Sequence, residues 1–162
     1  MPRLVLVTED LTIRPEPFES PDVQRALAQY VAELAERFPE GFDPGRGVPP
    51  AEDDFTPPKG VFLLVRFAGE VVGCGGLRTE PDGIAEIKRM WISPALRGKG
   101  AGRALLTGLE DHARRMGCAR VRLDTAAELA EAQALYAKAG YVEIPAYNDN
   151  PYAAHWFEKT LR

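Results

Sequence analysis

Arg97-Gly98-Lys99-Gly100-Ala101-Gly102 follows the apolar run Met90-Trp91-Ile92 and leads into a segment of helical period, and this junction decides how the chain folds. Glycine at alternate positions permits positive φ and lets backbone N–H groups approach a ligand with no Cβ in the way. The first turn of a helix carries unpaired amides and the positive end of the helix dipole, so the turn favours an anion. Arg97, Lys99 and Arg103 add full charges, and a guanidinium grips phosphate oxygens bidentately. Recognition of phosphate is the chemistry indicated, and spacing separates the competing patterns. A Walker loop requires Gly-Lys followed by Ser or Thr, whereas Gly100 follows Lys99. A dinucleotide fingerprint places its third glycine where this chain has Arg103.

Upstream of the turn, Val61 to Phe67 and Glu70 to Leu77 are apolar runs joined by Ala68-Gly69, which predicts an antiparallel hairpin. Pro81-Asp82-Gly83 turns the chain into Ile84 to Ile92, a third strand of the same meander, ended by Ser93-Pro94. Downstream, Leu105, Leu106, Leu109, Ala113 and Met116 recur with helical period from Gly102, and Gly117 supplies the stop. Val121-Arg122-Leu123 starts the next strand. Glu128 to Ala139 reads as a further helix, with Leu129, Ala132, Leu135, Tyr136 and Ala139 on one face and Gly140 after it. Two last strands, about Tyr141 to Ile144 and Ala154 to Leu161, flank a loop from Pro145 to Pro151. Ahead of the hairpin, Leu4 to about Pro15 predicts a first strand. Ser20 to Phe38 predicts an amphipathic helix, with Val23, Leu27, Tyr30, Val31, Leu34 and Phe38 at spacings of three and four and Ser20-Pro21 at its start. Pro39 to Lys59 is rich in Pro, Gly and Asp without a sustained period, which predicts a long loop, serving either as a flap or as a disordered connector. No repeat or linker interrupts the chain, so residues 1–162 are read as one domain.

A chain of 162 residues buries about 70% of its extended surface on folding, enough for a cleft on a real core. With 45% hydrophobic and 27% charged residues, and no apolar run near the ~20 residues of a membrane helix, a soluble protein with no membrane partner is expected. Met1 to Val7 is too short an apolar stretch for a secretory leader and reads as part of the first strand. Cys74 and Cys118 lie far apart with no disulfide framework, which predicts free thiols in a reducing cytoplasm. His112 and His155 stand outside any ligand cluster, so no metal is expected. The net charge of −4 conceals an uneven distribution: residues 88–122 carry nine Lys or Arg against two acids, and the rest eleven against twenty-two. Such a block reads as a nucleic-acid patch, as a site for a compact polyanion, or, for any single arginine, as a solvated helix face. Its coincidence with the glycine turn favours the polyanion, and no nucleic-acid partner is expected.

The pattern Arg-x-x-Gly-x-Gly after a strand ending Met90-Trp91-Ile92 resembles the pyrophosphate loop of the GNAT family of acyl-CoA-dependent N-acetyltransferases. The likeness runs over about residues 61–161 in element order, and Ala134-Leu135-Tyr136-Ala137-Lys138-Ala139-Gly140-Tyr141 resembles the family's helix-to-strand ending. It implies an α/β fold of the α+β type, a mixed, largely antiparallel central sheet with helices on both faces. It implies acetyl-CoA as donor and a primary amine of a small molecule or peptide as acceptor, joined by direct attack in a ternary complex. By resemblance, Arg97, Gly98, Lys99, Gly100, Ala101, Gly102 and Arg103 hold the pyrophosphate. Main-chain groups of Met90, Trp91 and Ile92 hold the pantetheine arm, and a backbone N–H of that strand meets the oxyanion. Tyr136 matches the family's tyrosine that protonates the leaving thiolate, although helical spacing also accounts for it as a core residue. Glu86 stands in the central strand where some related acetylases carry a general base, and an ion pair with Lys88 or another cation is its alternative role. Leu129 departs from the pattern, since many members have Asn there, and implies loss of a polar contact to the cofactor arm.

Residues 1–87 hold sixteen acids against eight bases, a field that suits a cationic amine or simply keeps the surface solvated. The loop Tyr147-Asn148-Asp149-Asn150-Pro151-Tyr152 and the flap are expected to line the acceptor pocket, and Trp91, Trp156 and Phe157 to belong to the core. Oligomeric state is open, a homodimer included. A non-catalytic acyl-CoA sensor or partner module of the same fold is the alternative to an enzyme.

Overall fold

The computed structural model describes residues 10–43 and 53–162. In chain order these form β1 (Leu11–Pro15), α1 (Pro21–Arg37), β2 (Gly60–Phe67), β3 (Glu70–Glu80), β4 (Ile84–Ile92), α2 (Ala101–Arg115), β5 (Arg120–Thr125), α3 (Ala130–Lys138), β6 (Val142–Ile144) and β7 (His155–Thr160). One sheet runs β1-β2-β3-β4-β5-β7-β6. All its neighbours are antiparallel except β4 and β5. The expected mixed, largely antiparallel sheet is therefore present. Of the expected first strand, Leu4–Glu9 lies outside the described residues, as do residues 44–52 of the flap.

Alternation along β2 shows how the layers form. Val61, Leu63 and Val65 face one side, where they join Leu105, Leu106, Leu109 and Ala113 of α2 in one core cluster. Phe62 and Leu64 face the other, against Val23 and Ala26 of α1 with Phe55 and Trp91. Helices thus cover both faces, as a sheet with two apolar sides requires. Full burial of each leucine of α2 contributes about 1.5–3 kcal/mol. Helix α1 starts where the Ser20 hydroxyl accepts the Val23 N–H at 3.1 Å and Pro21 occupies the first turn. Such a cap is worth about 1 kcal/mol.

The β4–β5 boundary positions the site. Parallel pairing covers only Ile84 with Arg120, Ala85 with Val121, and Glu86 with Arg122, after which the strands part. On its other edge β4 carries a bulge: Cys74 pairs with Trp91 and Gly76 with Lys88, so Gly75 alone opposes Arg89 and Met90. Arg89 adopts φ 57°, a left-handed conformation that costs an L-residue about 1–3 kcal/mol. The Cys74 thiol donates to the Arg89 carbonyl at 3.4 Å, and burial pushes that thiol up to about 12, so it remains a donor.

The element ends differ slightly from expectation. β3 continues past Leu77 because Arg78, Thr79 and Glu80 complete the ladder with Glu86, Ala85 and Ile84, and its polar end is stabilised by ion pairs. α3 begins at Ala130 instead of Glu128, since Leu129 has φ −102° and ψ 62° and no side chain caps the helix.

Candidate active site

After β4 the chain makes a short turn at Pro94–Leu96, with Leu96 buried, and then enters the glycine loop. Gly98 has φ 76° and Gly100 φ 91°, and Gly100 is the N-cap of α2. A side chain at either position would be strained whatever the free space. No side chain caps α2, so its first-turn amides lack the usual intramolecular acceptor. Beside them lies a cavity of about 370 Å³ lined by Met90, Trp91, Ile92, Arg97, Gly98, Gly100, Gly102, Arg103 and Tyr136 among others. The expected cofactor residues are thus largely brought together. Two are not part of the lining: the Ala101 methyl is buried in the core, which leaves only its backbone for a ligand, and Lys99 lies outside the cavity wall.

Arg97 is engaged by protein groups. Its Nε donates to the Ile92 carbonyl at 3.1 Å, and its Nη2 lies 2.7 Å from each oxygen of Glu33 on α1. The Trp91 indole N–H donates to the same carboxylate at 2.9 Å. Arg37 pairs with Glu33 at 3.3 Å and with Glu131, and donates to the Glu128 carbonyl at 2.7 Å, tying α1 to the start of α3. Burial alone would raise Glu33; the indole and the Arg97 guanidinium overcome it and hold the carboxyl below its ordinary range.

A second cavity of about 540 Å³ opens in the β4–β5 splay. Its wall includes Tyr30, Leu34, Phe38 and Phe42, then Lys88, Arg89 and Met90 of β4, Asp124 of β5, and Asn148 to Ala153. The loop expected to line an acceptor pocket lines this cavity from Asn148 to Tyr152; of the expected flap, Phe42 does so. Tyr152 stacks on Phe38 with ring centroids 5.4 Å apart. Asp124 accepts from Asn148 at 2.7 Å and Asn150 at 3.0 Å, and Lys88 lies 3.4 Å away. Tyr30, Leu34, Met90, Leu129, Ala132 and Tyr136 line both cavities, which therefore adjoin.

Tyr136 is buried at this junction, its hydroxyl 3.9 Å from the Met90 sulfur. Burial pushes its phenol well above the ordinary tyrosine range, so the hydroxyl keeps its proton. Glu86 is fully buried and lines neither cavity. Arg78 contacts one of its oxygens at 2.8 Å; the other is reached by Lys88 at 3.2 Å and accepts the Tyr147 hydroxyl at 2.7 Å. Burial would raise Glu86, but Lys88 and the Tyr147 hydroxyl outweigh it and keep the carboxyl low.

The model of the acetyltransferase (GNAT) family matches residues 27–141, well over half of the chain. The chain belongs to the GNAT family. An uncharacterised N-acetyltransferase of Escherichia coli is 34% identical over 133 residues, 78% of each chain. An IAA acetyltransferase of Azospirillum brasilense is 41% identical over 83 residues, 51% of this chain and 54% of that one, so this match spans only about half of either protein. A GNAT acetyltransferase of Elizabethkingia anophelis, solved with acetyl-CoA bound, superimposes with a TM-score of 0.66 over 94% of this chain and 99% of that one. At 18% identity that likeness is one of fold. The protein is an N-acetyltransferase that uses acetyl-CoA as donor. Among the described residues no group of His, Cys, Asp or Glu is placed to hold a metal ion, and no helix is long and apolar enough to cross a membrane.

Three residues of this GNAT site escape a reading of the sequence. Glu33 sits beside the apolar stripe Tyr30-Leu34-Phe38 and resembles any helix-surface carboxylate. Asp124 alternates with the inward Val121 and Leu123, a pattern that shows which face it takes but not what lies there. Arg89 is one cation in a basic block, and only the bulge distinguishes it.

Proposed function

We propose that this GNAT domain transfers the acetyl group to a primary amine held in the larger cavity, by direct attack on a donor lying in the smaller one. The observation that carries this reading is the shared wall at Met90 and Tyr136, where an acceptor nitrogen and a thioester carbonyl would meet. The pyrophosphate would lie against the amides of Gly98 to Gly102 with Arg97 and Arg103 beside it, and the pantetheine arm along the main chain of Met90, Trp91 and Ile92. Lys99 would add charge from outside the wall, and Ala101 its N–H alone.

An alkyl ammonium of pKa near 10 is deprotonated in only about one molecule in a thousand at neutral pH, so a proton must leave before attack. Two carboxylates line the acceptor cavity, Asp124 and Asp149, and Asp124, fixed by Asn148 and Asn150, takes that role in this proposal, a contribution typically of ~10²- to 10⁴-fold. Glu86 would act through Lys88, holding that ammonium beside Asp124. The nitrogen forms a bond to the acetyl carbon, the C–S bond breaks, the leaving thiolate takes the proton of the Tyr136 hydroxyl, and the proton the nitrogen sheds on becoming an amide restores the phenol. Two buried free thiols, Cys74 and Cys118, support a reducing, cytoplasmic setting. Thiol release from acetyl-CoA over a panel of amines, amino acids and peptides tests the reading. Turnover with some acceptors that falls in Asp124→Asn and Tyr136→Phe supports it; binding of acetyl-CoA with no turnover across the panel would point to a sensor instead.

A further inference from the structure

The larger cavity contains a cation that has no ion-pair partner among the described residues. Among the described residues, the other half-buried arginines each lie against a carboxylate: Arg37 with Glu33, Arg66 with Glu16, Arg78 with Glu86, Arg97 with Glu33, Arg120 with Glu158 and Arg122 with Glu80. Arg89 is equally half-buried and has neither an ion pair nor a side-chain hydrogen bond among them. It lines the acceptor cavity from the bulge of β4, next in sequence to Met90, which faces the donor as well. A guanidinium partly withdrawn from water without a partner is costly, and so it is a ready site for a carboxylate, which it binds bidentately. Its backbone is the one position of β4 with positive φ, and the Cys74 thiol holds that carbonyl in place.

An opposite pole faces the same space. Asp124 presents a carboxylate fixed by Asn148, Asn150 and Lys88, and Tyr30, which lines the same cavity, is pushed up to about 12 chiefly by burial, with Arg89 opposing and Asp124 adding to that shift. An amine with no further charge would satisfy Asp124 and leave Arg89 bare. A molecule carrying an ammonium and a carboxylate satisfies both.

We propose that Arg89 is the specificity-determining residue of the acceptor cavity and that the acceptor is an amino acid, recognised by its free carboxylate at Arg89 while its amine lies toward Asp124. This inference rests on the reading of the larger cavity as the acceptor site. A peptide N-terminus, whose α-carboxyl is an amide, lacks the recognised group.

Equilibrium binding separates the inference from the chemistry. The twenty protein-derived amino acids, each beside its carboxamide, are titrated calorimetrically into the protein loaded with coenzyme A, a complex that cannot turn over. At least one amino acid is expected to bind tenfold or more tighter than its carboxamide. Arg89→Met is expected to erase that ratio by weakening the acid alone, with Arg89→Lys restoring part of it and coenzyme A affinity unchanged in both. Carboxamides that bind as well as or better than the acids in the wild-type protein would overturn the inference without any variant, and an acid preference that survives in folded Arg89→Met would do so too. Thiol release from acetyl-CoA is read in parallel. Arg89-dependent binding without acetyl transfer would refute the catalytic reading and leave the carboxylate site standing, whereas transfer to amines indifferent to Arg89 would refute the carboxylate site alone.

Discussion

Arg97 and Glu33 are joined across the wall of the donor cavity, with one guanidinium nitrogen 2.7 Å from both carboxylate oxygens. The arginine that the glycine loop offers to a pyrophosphate is therefore already neutralised by helix α1. In the proposed binding mode an incoming diphosphate would share or displace that carboxylate, so Glu33 would oppose the donor electrostatically while it orders the loop.

Removing the charge at Glu33 while keeping its shape isolates this competition. Glu33→Gln retains an oxygen for the Trp91 indole and takes one negative charge from the pyrophosphate site. Coenzyme A is expected to bind about fivefold tighter, on the order of 1 kcal/mol, by calorimetry at low salt, with the gain shrinking as salt is added. Unchanged or weaker binding would show that the two anions do not compete.

The same network sets a pH dependence. Glu33 is held low by Trp91 and Arg97 against its burial, and Glu131 is held low first by the hydrogen bond from Arg37. A carboxyl depressed in the folded state contributes stability that is fully present above its unfolded value, about 4.3, and is lost as pH falls through the lower folded value. Tm should therefore be flat with respect to these groups from pH 6 to 8 and decline below about pH 4. Glu33→Gln combined with Glu131→Gln should reduce that acid decline, and an undiminished decline would contradict the assignment.

Tyr136→Phe separates chemistry from core packing. The hydroxyl points to the Met90 sulfur 3.9 Å away, too long for much stabilisation, and the ring remains in the core. Stability should change by less than about 1 kcal/mol while kcat falls on the order of 10- to 100-fold. Because burial raises the phenol, the kcat of the wild-type enzyme should show no loss attributable to tyrosine ionisation up to pH 10. Equal kcat in the two proteins would remove Tyr136 from the reaction.

Glu86→Gln should damage the fold first. It leaves Arg78 and Lys88 facing a buried neutral amide, and breaking a buried ion pair costs about 3–5 kcal/mol. Denaturant unfolding checks this directly. A variant of normal stability with abolished turnover would instead restore Glu86 as the group that takes the proton.

The donor side was legible because its signals are local. Alternating glycines, an apolar run before them and a 3.6-residue period after them all lie within about two dozen residues, and positive φ at Gly98 and Gly100 follows from that spacing. The acceptor side depends on distant relationships. The early end of β4–β5 pairing at Glu86 and Arg122 is a property of two strands separated by a helix, and nothing in either strand announces it. Glu86 was visible as a central-strand carboxylate, but its enclosure comes from Arg78 on β3 and Tyr147 after β6, neither of which its own neighbourhood reveals. Ala101 and Lys99 differ from the glycines around them because the first turn of α2 directs the Ala101 side chain into the core, while Lys99 precedes the helix and lies off the wall.

If the glycine loop anchors the donor, amide chemical shifts report it most directly. Coenzyme A and pantetheine, which lacks the diphosphate and nucleotide, are titrated into isotopically labelled protein. The largest shifts with coenzyme A should fall on the amides of Gly98, Gly100, Ala101, Gly102 and Arg103 and be absent with pantetheine, while Trp91 and Ile92 respond to both. Coenzyme A binding that leaves those five amides unmoved would show that the glycine loop is not the anchor.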